Sequence, residues 1–174
     1  MYPKEFILFL VHFHGDRDYF ECHEIGEEYW KEVEAGNKKS IWVAFILLAV
    51  SCYHHRRGNY PGALKTIKKS FSLFKQNTQM LSSYGIDSVL LLALLENNTK
   101  RIENMVPYKM IDLPLQDAEL EKQCQQYCNK MGLSWKNKGT VANEIIHRHL
   151  TRDRSIVIQE RDAAILAKRK NRKT

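Results

Sequence analysis

Ser40-Ile-Trp-Val-Ala-Phe-Ile-Leu-Leu-Ala-Val-Ser-Cys-Tyr-His-His-Arg-Arg-Gly-Asn59 is the stretch on which the fold turns. Ser40 is a natural N-cap, and Gly58-Asn59 breaks whatever precedes it. Between them, Ile41 to Cys52 is apolar apart from Ser51, well short of the ~18 to 20 residues a membrane span needs. A helix apolar on every side is buried on every side. This segment therefore reads as the central core helix of a protein without a membrane span.

Upstream, Pro3 can begin a helix to about His14, and Gly15-Asp16-Arg17-Asp18 is a turn whose Asp18 caps a second helix from Tyr19 to Ala35. Lys4 is offset by Glu5 and no small-residue cleavage site follows Phe13, so Phe6 to Phe13 reads as core rather than as a signal peptide. Downstream, Pro61 sits in the first turn of a helix to about Gln76. Asp87 caps another through Glu96, which Asn97-Asn98-Thr99 ends. Pro107 and Pro114 mark 104–116 as an extended segment across the core. Asp117 to Met131 is helical, Gly132 caps it and Trp135 anchors the turn. Thr140 to Leu150 and Arg152 to about Arg169 read as two further helices.

Apolar positions recur at three- and four-residue intervals with no long period-two alternation, which makes the class all-α: a bundle of antiparallel helical hairpins with additional C-terminal helices. The expected organisation is a core over 1–80 carrying the motifs below, added helices over 81–167, and a basic tail over 168–174. A weak internal echo links Gly15–Trp30 with Gly58–Phe71, the second resembling half of a tetratricopeptide-type hairpin.

Composition is that of an ordinary globular chain: 174 residues, 44% hydrophobic and 27% charged. Cys22, Cys52, Cys124 and Cys128 form no C-x-x-C pair, and free thiols suit a reducing cytoplasm. The net charge of +7 is uneven, with −6 over residues 1–36, +6 over 37–135 and +7 over 136–174. Lys168, Arg169, Lys170, Arg172 and Lys173 make the C-terminus a candidate phosphate-binding tail for nucleic acid or a ribosomal surface, though without interleaved aromatics.

The stretch with most chemistry is Tyr19-Phe-Glu-Cys-His-Glu-Ile-Gly-Glu-Glu-Tyr-Trp30. At helical spacing Phe20, His23, Glu27 and Trp30 share a face, and the two aromatics are expected to draw His23 and Glu27 inside. A buried carboxylate needs a partner. His23 is the nearest, and an antiparallel hairpin brings His54, followed by Arg57, close to it. Three chemistries fit: a structural polar network, a divalent transition-metal site on His23, Glu27 and His54, or metal-free acid/base work by His23 and Glu27. H-E-x-x-E departs from the zinc-protease H-E-x-x-H at Glu27, and no third-ligand motif follows.

The pattern Phe20, His23, Glu24, Glu27, Trp30, then Tyr53, His54, Arg57, Gly58, Asn59, Gly62 and Ala63, resembles a family of small bacterial and archaeal helical proteins catalogued as domain of unknown function three hundred and nine. Its motifs read F-x-A-H-E-x-x-E-x-x-W and Y-H-x-x-R-G-N-x-x-G-A, with Cys22 here replacing the alanine. The match covers about residues 5 to 75. It implies a helical bundle, an assigned activity in no member, and a polar centre at His23, Glu24, Glu27, His54 and Arg57. No phosphate loop, nucleophile elbow or dinucleotide fingerprint occurs. The expected role is interaction or scaffolding, with a protein partner or self-association. Metal-dependent hydrolysis at the His/Glu cluster and nucleic-acid binding by the tail are the alternatives.

Overall fold

The structure is a computed structural model and describes residues 1–151. The expected helix from Arg152 and the basic tail lie outside the described residues. Among the described residues the secondary structure is helical apart from an isolated bridge between Ile86 and Leu115. The first four helices are α1 (Lys4–His14), α2 (Tyr19–Glu34), α3 (Ile41–Arg56) and α4 (Tyr60–Gln76). A short α5 (Thr78–Leu81) and a 3₁₀ turn (Ser82–Tyr84) lead to α6 (Ser88–Glu103), then α7 (Ala118–Lys130) and single-turn α8 (Asn143–Ile146) and α9 (Arg148–Thr151). No helix among the described residues is long and apolar enough to cross a membrane.

The caps act locally. Asp18 accepts from the Glu21 amide at 3.0 Å, Ser40 from Trp42 at 3.0 Å, Asp87 from Leu90 at 2.9 Å and Asp117 from Glu119 at 2.8 Å. Each satisfies an amide that the first turn leaves without an intrahelical acceptor. Short connections fold successive helices back on one another, so α3 packs between α2 and α4 while α1 contacts α2 and α7. The α3 residues Ile41, Trp42, Phe45, Leu48, Ala49 and Cys52 are buried, as a helix apolar all round requires. Two hydroxyls fasten α3 to α4 through backbone carbonyls: Ser51 donates to Ala63 at 2.9 Å and Ser70 to Ala44 at 2.8 Å.

Two elements depart from expectation. Helix α6 does not end at Asn97-Asn98-Thr99 but continues to Glu103. Leu91, Leu95, Asn98 and Ile102 form one buried stripe, and Thr99 Oγ1 donates to Leu95 O at 2.7 Å, so packing against α4 overrides the weak local propensity. Residues 140–150 are not one helix but are interrupted at His147, between Asn143–Ile146 and Arg148–Thr151, and only Val141 among their apolar residues is buried.

The segment 104–116 is extended across the core as expected, and a buried arginine pins it. Arg17, fully buried at φ 59° in the α1–α2 turn, donates to Phe13 O, Ile111 O, Asn137 O and Asp112 Oδ1 at 2.7 to 3.1 Å. One guanidinium thus joins the first turn of the chain to two segments about a hundred residues away.

Candidate functional site

Helix α2 buries a stripe one position removed from the one its aromatics suggest. Tyr19, Cys22 and Gly26 are its buried residues. The cause is close approach: a Cβ on Gly26 would stand 2.8 Å from Ile46 Cγ1 of α3, and Cys22 Sγ reaches Phe9 O at 3.4 Å. Cys22 and Gly26 thus let α2 approach its neighbours closely, with Tyr19 buried at the head of the stripe and Phe20 and Trp30 flanking it. His23, Glu24 and Glu27 consequently lie at the edge with 30, 32 and 37% of their side chains exposed, which corrects the expectation of a buried His/Glu pair.

The three side chains are neighbours there. His23 Nδ1 is 3.0 Å from Glu24 Oε1, His23 Nε2 is 3.5 Å from Glu27 Oε2, and Lys31 Nζ is 3.0 Å from Glu27 Oε1. One ligand atom from each of His23, Glu24 and Glu27 lies within 4.8 Å of the others, and His54 is not in that group.

His54 and His23 do share a wall. Tyr19, Phe20, His23, Val50, Tyr53, His54, Arg57 and His149 line a cavity of about 230 Å³ between α2 and the C-terminal end of α3. Arg57 lies over the Tyr53 ring, 5.4 Å from its centroid. Its Nε donates to His147 Nδ1 at 3.3 Å and its Nη1 to His149 Nε2 at 3.2 Å, while Tyr53 Oη pairs with His149 Nδ1 and Arg148 with Asp18. The segment 147–149 therefore docks on α3 and closes one side of the cavity.

Residues 6–66 match the model of the family described as Domain of unknown function (DUF309). Over 173 residues the chain is 42% identical to Uncharacterized protein YpuF of Bacillus subtilis (strain 168), covering 99% of each chain. The chain belongs to the DUF309 family. No solved structure matches it.

The residues on which the resemblance rests fall into three sets. Gly58 holds φ 70°, which glycine adopts without strain. Asn59 Oδ1 caps α4 through the Gly62 amide at 3.1 Å, a Cβ on Gly62 would meet the Asn59 amide at 2.7 Å, and buried Ala63 receives Ser51. These four build the α3–α4 turn. Phe20, His23, Tyr53, His54 and Arg57 instead line one cavity, while Glu24 and Glu27 line the neighbouring acidic groove and Trp30 Nε1 donates to Asn37 O at 3.0 Å.

Asn59 also sets the chemistry of His54. Because its Oδ1 accepts from Gly62, its Nδ2 is the donor to His54 Nδ1 at 3.0 Å, leaving the ring proton on Nε2. Burial, and then the Arg57 charge, lower the His54 pKa and favour this neutral form. An imidazole held so is a donor through Nε2, whereas a metal ligand needs that nitrogen's lone pair.

The cysteines are free and buried, and burial raises the thiols of Cys52 and Cys124 to about 12 and that of Cys128 to about 11, which keeps them protonated. Two groupings had no sequence signal. His147 to His149 reach Arg57, Tyr53 and Asp18 only through tertiary folding. His14, fully buried and stacked on Trp135 at 4.7 Å, lies 3.5 Å from Asp112 Oδ1 on the far side of Arg17's hydrogen bonds.

Proposed function

We propose that this protein is a helical interaction module that works in a reducing cytoplasm and receives a small group of its partner in the cavity between α2 and α3. The observation that carries this reading is that five of the residues carrying the resemblance, Phe20, His23, Tyr53, His54 and Arg57, gather on one cavity. The cavity is smaller than the roughly 300–1,000 Å³ that drug-sized ligands occupy, so it suits a small molecule or a single side chain. The free, buried cysteines support the reducing compartment. Chemical-shift mapping with a mixed fragment set tests the reading. Shifts centred on Phe20, Tyr53 and His54 are expected, and shifts confined to another face would overturn it.

A second reading has its own observation. His23, Glu24 and Glu27 hold one potential ligand atom each within 4.8 Å, beside an acidic groove lined by Glu21, Glu24, Glu27 and Glu28 with Lys31. Imidazole and carboxylate are an ordinary ligand set for a divalent transition metal, and such a centre would serve hydrolysis. Elemental analysis after metal reconstitution and desalting discriminates. Near-stoichiometric metal, lost in a His23→Asn, Glu27→Gln double variant, would establish this reading; metal-free protein in both would dismiss it.

A further inference from the structure

We propose, resting on the cavity reading above, that the occupant of the α2–α3 cavity is a small carboxylate with an apolar body, held by Arg57 and His54, and that His147 competes with it for Arg57.

Among the described residues, no acidic side chain neutralises the charge at the end of α3. Among the described residues Arg57 makes no ion pair; its hydrogen bonds go to two imidazoles. Neighbouring Arg56 donates one bond, to Arg17 O at 2.7 Å, and its Nε and Nη2 are buried without a partner, while its guanidinium lies 4.8 Å from the centroid of Tyr19, a cavity-lining ring. The partial negative charge of the helix C-terminus offsets only about half a unit of this. Inside an apolar pocket an anion is the complementary occupant.

The donors also select the class. Arg57 offers a planar fork of N–H groups, and its present acceptors at 3.2 and 3.3 Å are longer than the ~2.7–2.9 Å of a guanidinium–carboxylate bond. His54 supplies a second donor at Nε2, oriented by Asn59. Two donor groups match one carboxylate better than a phosphate dianion, which presents three strong acceptor oxygens. Tyr19, Phe20, Val50 and Tyr53 form the remaining wall, which favours an aromatic or branched aliphatic body.

Competition follows from the geometry of Arg57. A carboxylate taking the side-on fork of Arg57, Nε with Nη2, displaces His147 Nδ1 from Nε, since one N–H serves one strong acceptor. His147 is not a cavity-lining residue, so removing its ring frees the donor without opening the wall.

The test uses the full chain with benzoate, phenylacetate and isovalerate as probes, benzamide as the neutral isostere and inorganic phosphate as the bare anion. Binding is followed by side-chain NMR of Tyr53, His54 and the Arg57 Nε. Carboxylate binding that shifts these signals, weakens about tenfold or more in Arg57→Gln and strengthens severalfold in His147→Ala supports the proposal. The His147→Ala gain keeps the test decisive if Arg57→Gln does not fold. Equal binding of benzamide and benzoate in the cavity would overturn the carboxylate assignment and leave the cavity reading standing. Equal binding of phosphate would overturn the apolar body. No response of the cavity signals to any fragment would overturn the proposal and the cavity reading together.

Discussion

Arg57 and Tyr53, one turn apart at the end of α3, are stacked with the guanidinium 5.4 Å from the ring centroid, and both reach forward to the same residue, His149. This pair is the hinge between the family core and the segment 147–149. It leads to a prediction about order rather than stability. Because Arg57 is partly exposed and its partners are imidazoles rather than carboxylates, Arg57→Gln should change unfolding free energy by less than about 1 kcal/mol. The amides of residues 143–151 should nevertheless exchange at least several times faster. Unchanged exchange there would mean that Arg57 does not hold the segment.

Arg17 presents the opposite case. A fully buried cation with five hydrogen bonds cannot lose its partners cheaply, and its removal strands Asp112 and three backbone carbonyls. Arg17→Ala should destabilise the chain by about 3–5 kcal/mol in urea unfolding. A loss below about 1 kcal/mol would contradict the pinning role.

Acid should weaken the fold through His14 and Asp112. Burial lowers the His14 pKa, so as pH falls below the ordinary histidine value of ~6.5 the unfolded chain takes up a proton that the folded chain refuses. Stability is unaffected by this group above ~6.5 and falls by up to about 1.4 kcal/mol per pH unit below it. Asp112 acts next. The adjacent His14 ring and the Arg17 guanidinium hold its carboxyl below the usual range, so its contribution is intact above ~3.8 and lost as pH drops further. Urea midpoints at pH 7.5 and pH 5.0 measure the first effect. The difference should shrink in His14→Gln, and an equal difference in that variant would assign the acid sensitivity elsewhere.

The α2–α3 seam predicts a compensating pair. Gly26→Ala gains about 1 kcal/mol of helix propensity but forces Ile46 aside, and overpacking of a core costs about 1–3 kcal/mol. The single variant should be neutral to about 2 kcal/mol less stable. Any loss should be partly recovered by Ile46→Val, a coupling that a double-mutant cycle reads directly.

The parts of the fold legible in the sequence are those decided within a few residues. Asp18, Ser40 and Asp87 cap where their spacing says, and the apolar run from Ile41 is the core helix. Phe20 and Trp30 misled the reading of α2, because bulk marks burial only when a neighbouring helix has room for it. Gly26 and Cys22 were the better signal, being small residues four apart. Asn97 to Thr99 looked like a helix end because propensity is local, whereas the Leu91–Ile102 stripe belongs to the packing with α4. The candidate site was half legible. His23, His54 and Arg57 were found by helical register, but His147 and His149 lie some ninety residues from the side chains they meet, and no local pattern announces such a contact.

Asn59 makes His54 a donor into the cavity rather than a ligand for a cation. Imidazole nitrogen NMR of the full chain at pH 7 tests it most directly, with His54→Gln for assignment and Asn59→Ala as the comparison. A neutral His54 with its proton on Nε2 is expected, and a mixture of tautomers in Asn59→Ala. A proton fixed on Nδ1 in the native chain would contradict it, because His54 would then present a lone pair to the cavity and the donor site would be lost.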